Sequence, residues 1–186
     1  MTIRANQFVL LDRDGVLNTA PTNRYVTSTD ELSLLDGAAK AVRMFNDSGL
    51  GVLVVSNQQC VGKGLLSEQG LDEISAHLAT LIRNASGGEI SEFFYCRHLA
   101  EAGCDCRKPK PGLIHQAQQI HGFDLTKTFL IGDSYKDLEA AHDAGCPSIL
   151  VLTGNDADRY RSGDTPPGPP EIVATDLRDA AQFILS

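Results

Sequence analysis

The chain has 186 residues, of which 42% are hydrophobic and 22% charged, with a net charge of −8. That is the composition of an ordinary globular protein, long enough for one well-buried domain and short for two. The acidic balance argues against nucleic-acid binding, no apolar run approaches the ~20 residues of a membrane span, and residues 1–7 lack the apolar core of a signal peptide.

A cytoplasmic protein without nucleic-acid or membrane partners, acting as a monomer, is therefore expected. Five cysteines, an odd number in such a compartment, argue against a disulfide framework. Phe8-Val9-Leu10-Leu11 reads as a strand buried on both faces. It stops at two carboxylates, Asp12 and Asp14, and Gly15 breaks it. Two anions this close repel unless a cation or proton intervenes, and a hard divalent ion such as Mg²⁺ suits oxygen ligands. Residues 13–31 form a long polar loop carrying Asn18, Pro21, Thr22, Asn23 and Arg24, with Tyr25 and Val26 to anchor it or to wall a pocket. A helix over 37–46 presents Ala38, Ala41, Val42 and Phe45 on one face.

A second buried strand, 51–55, ends in Ser56-Asn57-Gln58-Gln59. Cys60 to Gly64 reads as a flexible basic loop around Lys63. A helix over 67–85, capped at Ser67, turns Leu71, Ile74, Leu78, Leu81 and Ile82 inward. Residues 90–95 form a third strand. A cysteine-rich stretch follows, and then the stiff basic turn Arg107-Lys108-Pro109-Lys110-Pro111-Gly112. The next helix runs to His121 with Leu113, Ile114, Ala117 and Ile120 as its apolar face. Residues 128–133 make a fourth strand ending at Asp133, 136–144 a helix, and 148–152 a fifth strand. The proline run 165–170 links to a last strand near Ile172 and a helix over 177–185.

Strands alternating with helices imply an α/β fold, a Rossmann-like parallel sheet flanked by helices. Such a sheet delivers the ends of its strands to one edge, where ligands bind. The set gathered there is Asp12 and Asp14, Ser56 and Asn57, Arg107 and Lys108, and Asp133. Carboxylates for a metal, a hydroxyl and a lysine are the components of phosphoryl transfer. From position, Asp12 is the candidate nucleophile and Asp14 the general acid and base. Asp133 is a Mg²⁺ ligand, and Ser56 and Lys108 hold the phosphoryl oxygens. No Walker-type glycine loop is present, which argues against nucleotide-dependent transfer.

Cys96-x-His98 and Cys104-x-Cys106 give four borderline-to-soft ligands at a spacing that suits tetrahedral Zn²⁺. Four protein ligands leave no open position, so this zinc is expected to be structural. It staples the 96–106 loop and thereby steadies Arg107 and Lys108.

These motifs, Asp12-Arg13-Asp14-Gly15-Val16, Ser56-Asn57-Gln58, Cys104-Asp105-Cys106-Arg107-Lys108-Pro109 and Gly132-Asp133-Ser134, resemble in order those of phosphatases of the haloacid dehalogenase (HAD) superfamily. Within it the chain is most similar to the zinc-containing D,D-heptose 1,7-bisphosphate phosphatases, with the histidinol-phosphate phosphatases as relatives. The resemblance implies one domain over 1–186 without a large cap. It places the nucleophile on Asp12 and the acid/base on Asp14. The phosphate-binding pair falls on Ser56 and Lys108, and Mg²⁺ on Asp12, Asp133 and the backbone carbonyl of Asp14. The implied substrate is a small phosphorylated sugar, the heptose 1,7-bisphosphate, with Arg13, Asn57 and Arg107 as contacts. Arg24, Lys63 and Lys110 are the nearest spare cations for a second phosphate. The chain departs from the family pattern at Gln59-Cys60 and at Ser134, with Lys136 two residues further on. The other readings are a histidinol-phosphate phosphatase and an inactive zinc-stabilised binding module.

Overall fold

The computed structural model describes residues 7–20 and 24–186. The expectations for residues 1–6 and for Pro21, Thr22 and Asn23 lie outside the described residues. Six strands form one parallel sheet in the order β3-β2-β1-β4-β5-β6. They are β1 (Phe8–Leu11), β2 (Gly51–Asn57), β3 (Glu92–Cys96), β4 (Leu130–Gly132), β5 (Ser148–Val151) and β6 (Ile172–Ala174). Among the described residues no helix is long and apolar enough to cross a membrane.

The apolar run of β1 is explained by its place. It lies at the centre of the sheet, with Leu10 opposite Leu53 on one side and Leu130 on the other. Its side chains alternate between two cores. Val9 and Leu11 pack with Val52, Val54, Phe45, Ile74 and Leu78 on one face. Leu10 packs with Leu53, Val55, Leu113, Ile114 and Ala141 on the other. Both faces are covered, so alternation with polar residues would bury polar groups. The first face carries α1 (Ala38–Asp47), α3 (Glu68–Ser86) and α7 (Leu177–Leu185). The second carries α4 (Gly112–His121) and α5 (Tyr135–Ala144).

After β1 the chain builds outward through β2 and β3, then returns to place β4 on the other side of β1. Order reverses between β1 and β4, and a doubly wound sheet opens a crevice beyond its strand ends at such a point. Asp12 emerges there from β1 and Asp133 from β4.

Three expectations change. Residues 59–62 are helical, as α2 (Gln59–Gly62), because Cys60 is buried and anchors the turn rather than leaving it free. Ile120 is 58% exposed; the inward face of α4 is completed by Leu113, Ile114 and Ala117 alone. The loop after β1 is only partly a surface loop. Val16, Leu17, Asn18 and Val26 are buried, and Asn18 bridges to Leu34. A further short helix, α6 (Ala157–Arg161), follows β5 and borders the crevice.

The basic turn before α4 is closed by the Gly112 N–H donating to the Asp105 carbonyl at 3.1 Å. A Cβ on Gly112 would collide with that carbonyl and crowd the Cys106 backbone. Gly112→Ala is expected to lower stability by about 1–3 kcal/mol, the usual cost of overpacking. Denaturant unfolding monitored by circular dichroism checks it.

Candidate active site

The centre of the site is Lys108, a lysine with 2% of its side chain exposed. Its ammonium donates to the Val55 carbonyl at 2.7 Å and meets Asp12 Oδ1 at 3.1 Å and Asp137 Oδ1 at 2.5 Å. Burial opposes its charge, but Asp12 and Asp137 outweigh burial and hold it above the usual lysine range. Lys108 is placed from its backbone. The Asn57 side chain receives the Lys108 N–H at 3.0 Å and donates to the Lys108 carbonyl at 2.9 Å. The end of β2 thus clamps the turn that carries the lysine.

Asp12 faces the crevice with 14% of its side chain exposed. Its Oδ1 also accepts the Arg13 N–H at 2.7 Å. Burial pushes its pKa up to about 6, against the pull of Lys108, and neighbouring Asp137 adds to the rise. Asp133 is fully buried. Its Oδ2 accepts the Asn155 N–H at 2.6 Å and the Asn155 amide at 2.8 Å, while its buried Oδ1 has no partner. Burial raises its pKa well above the usual carboxylate value, and Asp12 and Asp137 raise it further. Gly15 and Gly154 leave no room beside this carboxylate, since a Cβ on either would overlap it.

Oxygens of Asp12, Asp133 and Asp137 lie within 4.8 Å of one another. Three carboxylates, the buried Asp133 and Asp137 and the partly exposed Asp12, face one ammonium, which leaves an excess of negative charge. With the orphan oxygen of Asp133, that excess fits a hard divalent cation.

Asp14 sits differently. Its Oδ1 accepts from Arg13 Nε at 3.2 Å, Arg13 Nη2 at 3.0 Å and Asn18 Nδ2 at 2.8 Å. Its Oδ2 accepts from Arg13 Nη2 at 2.9 Å and Gln58 Nε2 at 2.8 Å. The carboxylate is outside the three-carboxylate cluster, so only its backbone carbonyl is left for the expected metal role. Gln58 also donates to Ser56 Oγ at 3.2 Å and receives Arg13 Nη2 at 3.1 Å.

The structure corrects several expected contacts. Arg13 has no exposed surface; its Nε and Nη2 donate to Asp14 and Gln58, Tyr95 lies beneath it, and its buried Nη1 has no partner among the described residues. It positions Asp14 and does not reach a ligand. Asn57 borders the cavity, but its amide is committed to Lys108 on both sides. Lys63 donates to Tyr25 Oη at 3.0 Å, and Lys110 pairs with Asp105 at 2.9 Å. Neither borders the cavity, and Lys110 braces the cysteine loop instead. The cavity is about 680 Å³ and is lined by Asp12, Asp14, Ser56, Arg24, Arg107 and Lys108, as expected, and also by Lys136, Glu139, Asp156 and Arg159.

Asp137, Gln58 and Asn18 were not legible as site residues. Asp137 had a partial signal. Ser134 and Asp137 stand at N-cap and N3 spacing, and their capping box is formed. That pattern accounts for the helix start but not for the second oxygen turned to Lys108.

The cysteine loop converges. Cys96 Sγ lies 3.6 Å from Cys104 Sγ and 3.7 Å from His98 Nδ1, and Cys106 Sγ lies 3.5 Å from Cys104 Sγ and 3.2 Å from His98 Nδ1. Ligands at ~2.0–2.3 Å around a tetrahedral zinc would stand about 3.5–3.8 Å apart. The four groups fit such an ion.

Comparison with known proteins gives consistent matches. Residues 105–180 match a HAD-hydrolase-like family model. A D-glycero-β-D-manno-heptose-1,7-bisphosphate 7-phosphatase of Pseudomonas aeruginosa is 36% identical over 150 residues, covering 81% of this chain and 83% of that protein. The protein of the same name from Neisseria meningitidis serogroup A is 35% identical over 180 residues, covering 96% and 95%. A crystal structure of D,D-heptose 1,7-bisphosphate phosphatase from B. bronchiseptica, complexed with magnesium and phosphate, superposes with a TM-score of 0.88 at 33% identity, covering 96% of this chain and 98% of that one.

The raised pKa of Asp12 has a consequence for stability without metal. A carboxyl whose folded pKa lies above its unfolded value loses stability as pH rises through that interval. In EDTA, Asp12→Asn is expected to match the unaltered protein near pH 4. Its advantage in Tm should grow up to about pH 6 and level off above. Thermal unfolding across that range measures it; equal Tm values at pH 7 would contradict the assignment.

Proposed function

We propose that this chain, which belongs to the family of the D-glycero-β-D-manno-heptose-1,7-bisphosphate 7-phosphatases within the HAD hydrolases, hydrolyses that β-anomeric sugar bisphosphate at its 7-phosphate. The observation that carries the reading is the aim of Asp12 into the cavity beside a buried, charged Lys108 and the orphan oxygen of Asp133.

Asp12 attacks phosphorus and the bond to the leaving sugar oxygen breaks, giving an aspartyl-phosphate. The Asp14 carboxyl gives its proton to that oxygen. The Asp14 carboxylate then takes a proton from water, which attacks the same phosphorus and frees Asp12. Arg13, Asn18 and Gln58 hold the Asp14 carboxylate at the cavity, toward which 27% of its side chain is open. Ser56 and Lys108 hold the phosphoryl oxygens as charge builds on them. Asp12, Asp133 and the backbone carbonyl of Asp14 would hold Mg²⁺, whose charge offsets the repulsion between phosphate and carboxylates.

Cys96, His98, Cys104 and Cys106 would hold a structural Zn²⁺ that keeps Arg107 and Lys108 in place. The clustered free thiols suit a reducing cytoplasm, and a site complete within one chain suits a monomer. Glu139 and Asp156 border the cavity and offer carboxylates to an amine, so histidinol phosphate is the second reading. Retention of Asp12, Asp14 and Asp133 together favours an enzyme over an inactive binding module.

Purified enzyme with Mg²⁺ is expected to release phosphate from D-glycero-β-D-manno-heptose 1,7-bisphosphate with a higher kcat/KM than from the α anomer or from histidinol phosphate. Preference for histidinol phosphate would overturn the reading. Asp12→Asn is expected to lower turnover on the order of 10⁴-fold or more. Cys104→Ser should remove zinc, measured by elemental analysis, and lower Tm in the same variant. Retention of both would refute the zinc site.

A further inference from the structure

The side chain that grips Asp14 is itself held from behind, away from the cavity. Arg13 holds the Asp14 carboxylate with Nε and Nη2. Its guanidinium carbon lies 5.9 Å from the centroid of the Tyr95 ring. Tyr95 is on β3, in register with Ser56 of β2, and stacks on Phe93 at 5.9 Å. Its hydroxyl lies 2.8 Å from the Ser75 hydroxyl of α3. Ser75 is buried, and its Oγ donates to the Leu71 carbonyl one helical turn back at 2.7 Å. It stands among Leu71, Ile74 and Leu78 on the inward face of α3, where alanine would pack as well and favour the helix more. Neither Tyr95 nor Ser75 borders the cavity.

Hydrogen-bond inventory gives this pair of hydroxyls a direction. Each has one proton and also accepts. A carbonyl only accepts, so the Ser75 proton is spent on Leu71. At the 2.8 Å contact Tyr95 therefore donates and Ser75 Oγ accepts. Burial pushes the Tyr95 pKa up, against the pull of Arg13, so the phenol keeps the proton it donates. With that proton turned toward α3, the Tyr95 oxygen offers only acceptor sites to its other neighbours. Arg13 has the matching need, since its buried Nη1 has no partner among the described residues. A hydroxyl turned the other way would set two donors against each other.

We propose that Tyr95 and Ser75 are positioning residues for the proton-transfer step: Ser75 sets the direction of the Tyr95 hydroxyl, Tyr95 steadies the Arg13 guanidinium, and Arg13 thereby aims the Asp14 carboxyl at the leaving oxygen. This rests on the phosphatase reading above. The aim of Asp14 matters most where the leaving group is poor. The oxygen of a sugar needs a proton as its bond to phosphorus breaks, whereas an acidic nitrophenol departs as its anion. Loss of aim therefore penalises the first kind of substrate and spares the second. Phosphate binding at Ser56 and Lys108 does not depend on it.

The test uses the full chain with Mg²⁺ and compares Tyr95→Phe, Ser75→Ala and the double variant on the heptose bisphosphate and on p-nitrophenyl phosphate. Tyr95→Phe removes only the hydroxyl, and Ser75→Ala removes only the group that directs it. The measured quantity is kcat/KM, which covers the steps up to departure of the leaving group. Each single variant is expected to lower it about 5- to 100-fold on the bisphosphate, the range of one hydrogen bond to a neutral or charged group. On the nitrophenyl ester it should fall by less than about threefold, and inhibition by inorganic phosphate should stay within about twofold. In the double variant the losses on the bisphosphate should not add, since both act through one hydroxyl. An equal loss on both esters would mean a structural role and overturn the inference, as would additive losses or an unchanged kcat/KM on the bisphosphate in both single variants. If the unaltered enzyme prefers histidinol phosphate, the substrate reading falls and the same comparison is made with that alkyl ester. Failure of the unaltered enzyme on all three esters would overturn the phosphatase reading and this inference with it.

Discussion

One buried ammonium among three carboxylates, two of them buried and one open to the crevice, organises this molecule. Isolated charges of this kind cost several kcal/mol each to bury, and only close pairing and hydrogen bonds offset that. Lys108 meets the condition with three acceptors, one from each of Asp12, Asp137 and Val55. Asp133 does not, because one of its oxygens has no partner. The imbalance is what makes the cluster a site instead of a structural ion pair. Burial there favours a proton on Asp12 and Asp133, and the same excess of negative charge suits a divalent cation.

Much of the rest of the fold serves to hold Lys108 where it is. The lysine lies on a turn, and turns are mobile unless tied down. Here the turn is held from three directions. Asn57 grips the Lys108 backbone from β2. Gly112 returns the chain to Asp105 at the start of α4. The cysteine and histidine groups gather the preceding loop onto the end of β3. A metal there would act on catalysis only through the rigidity of the next two residues, which is why its distance from Asp12 does not make it irrelevant.

The fold was legible because its signals are short-range and strong. Continuous apolar strands, spaced helices with a cap at Ser67 and glycine stops define a parallel sheet, and a parallel sheet decides which ends share an edge. Asp12, Ser56, Lys108 and Asp133 followed from that rule. The residues that were misplaced all depend on partners far away in sequence. Arg13 looked like a free cation beside two acids, yet Gln58 and Tyr95 close over it. Lys63 looked like a phosphate ligand, yet its ammonium donates to Tyr25 Oη and lies outside the cavity lining. Ile120 fits the helical period of α4, but His121 beside it is the residue that meets Phe8 of β1 and Phe94 of β3, and Ile120 is left in solvent. Asp137 is read locally as a helix cap, and only the packing of α5 against the strand ends gives its second oxygen to Lys108.

The central claim is that Asp12 carries the phosphoryl group. Acid-quenched turnover followed by peptide mass mapping tests it directly. A phosphoryl adduct on the peptide containing Asp12, absent in Asp12→Asn, is the expected result. Turnover with no adduct on that peptide under any quench time, or an adduct on another residue, would contradict it.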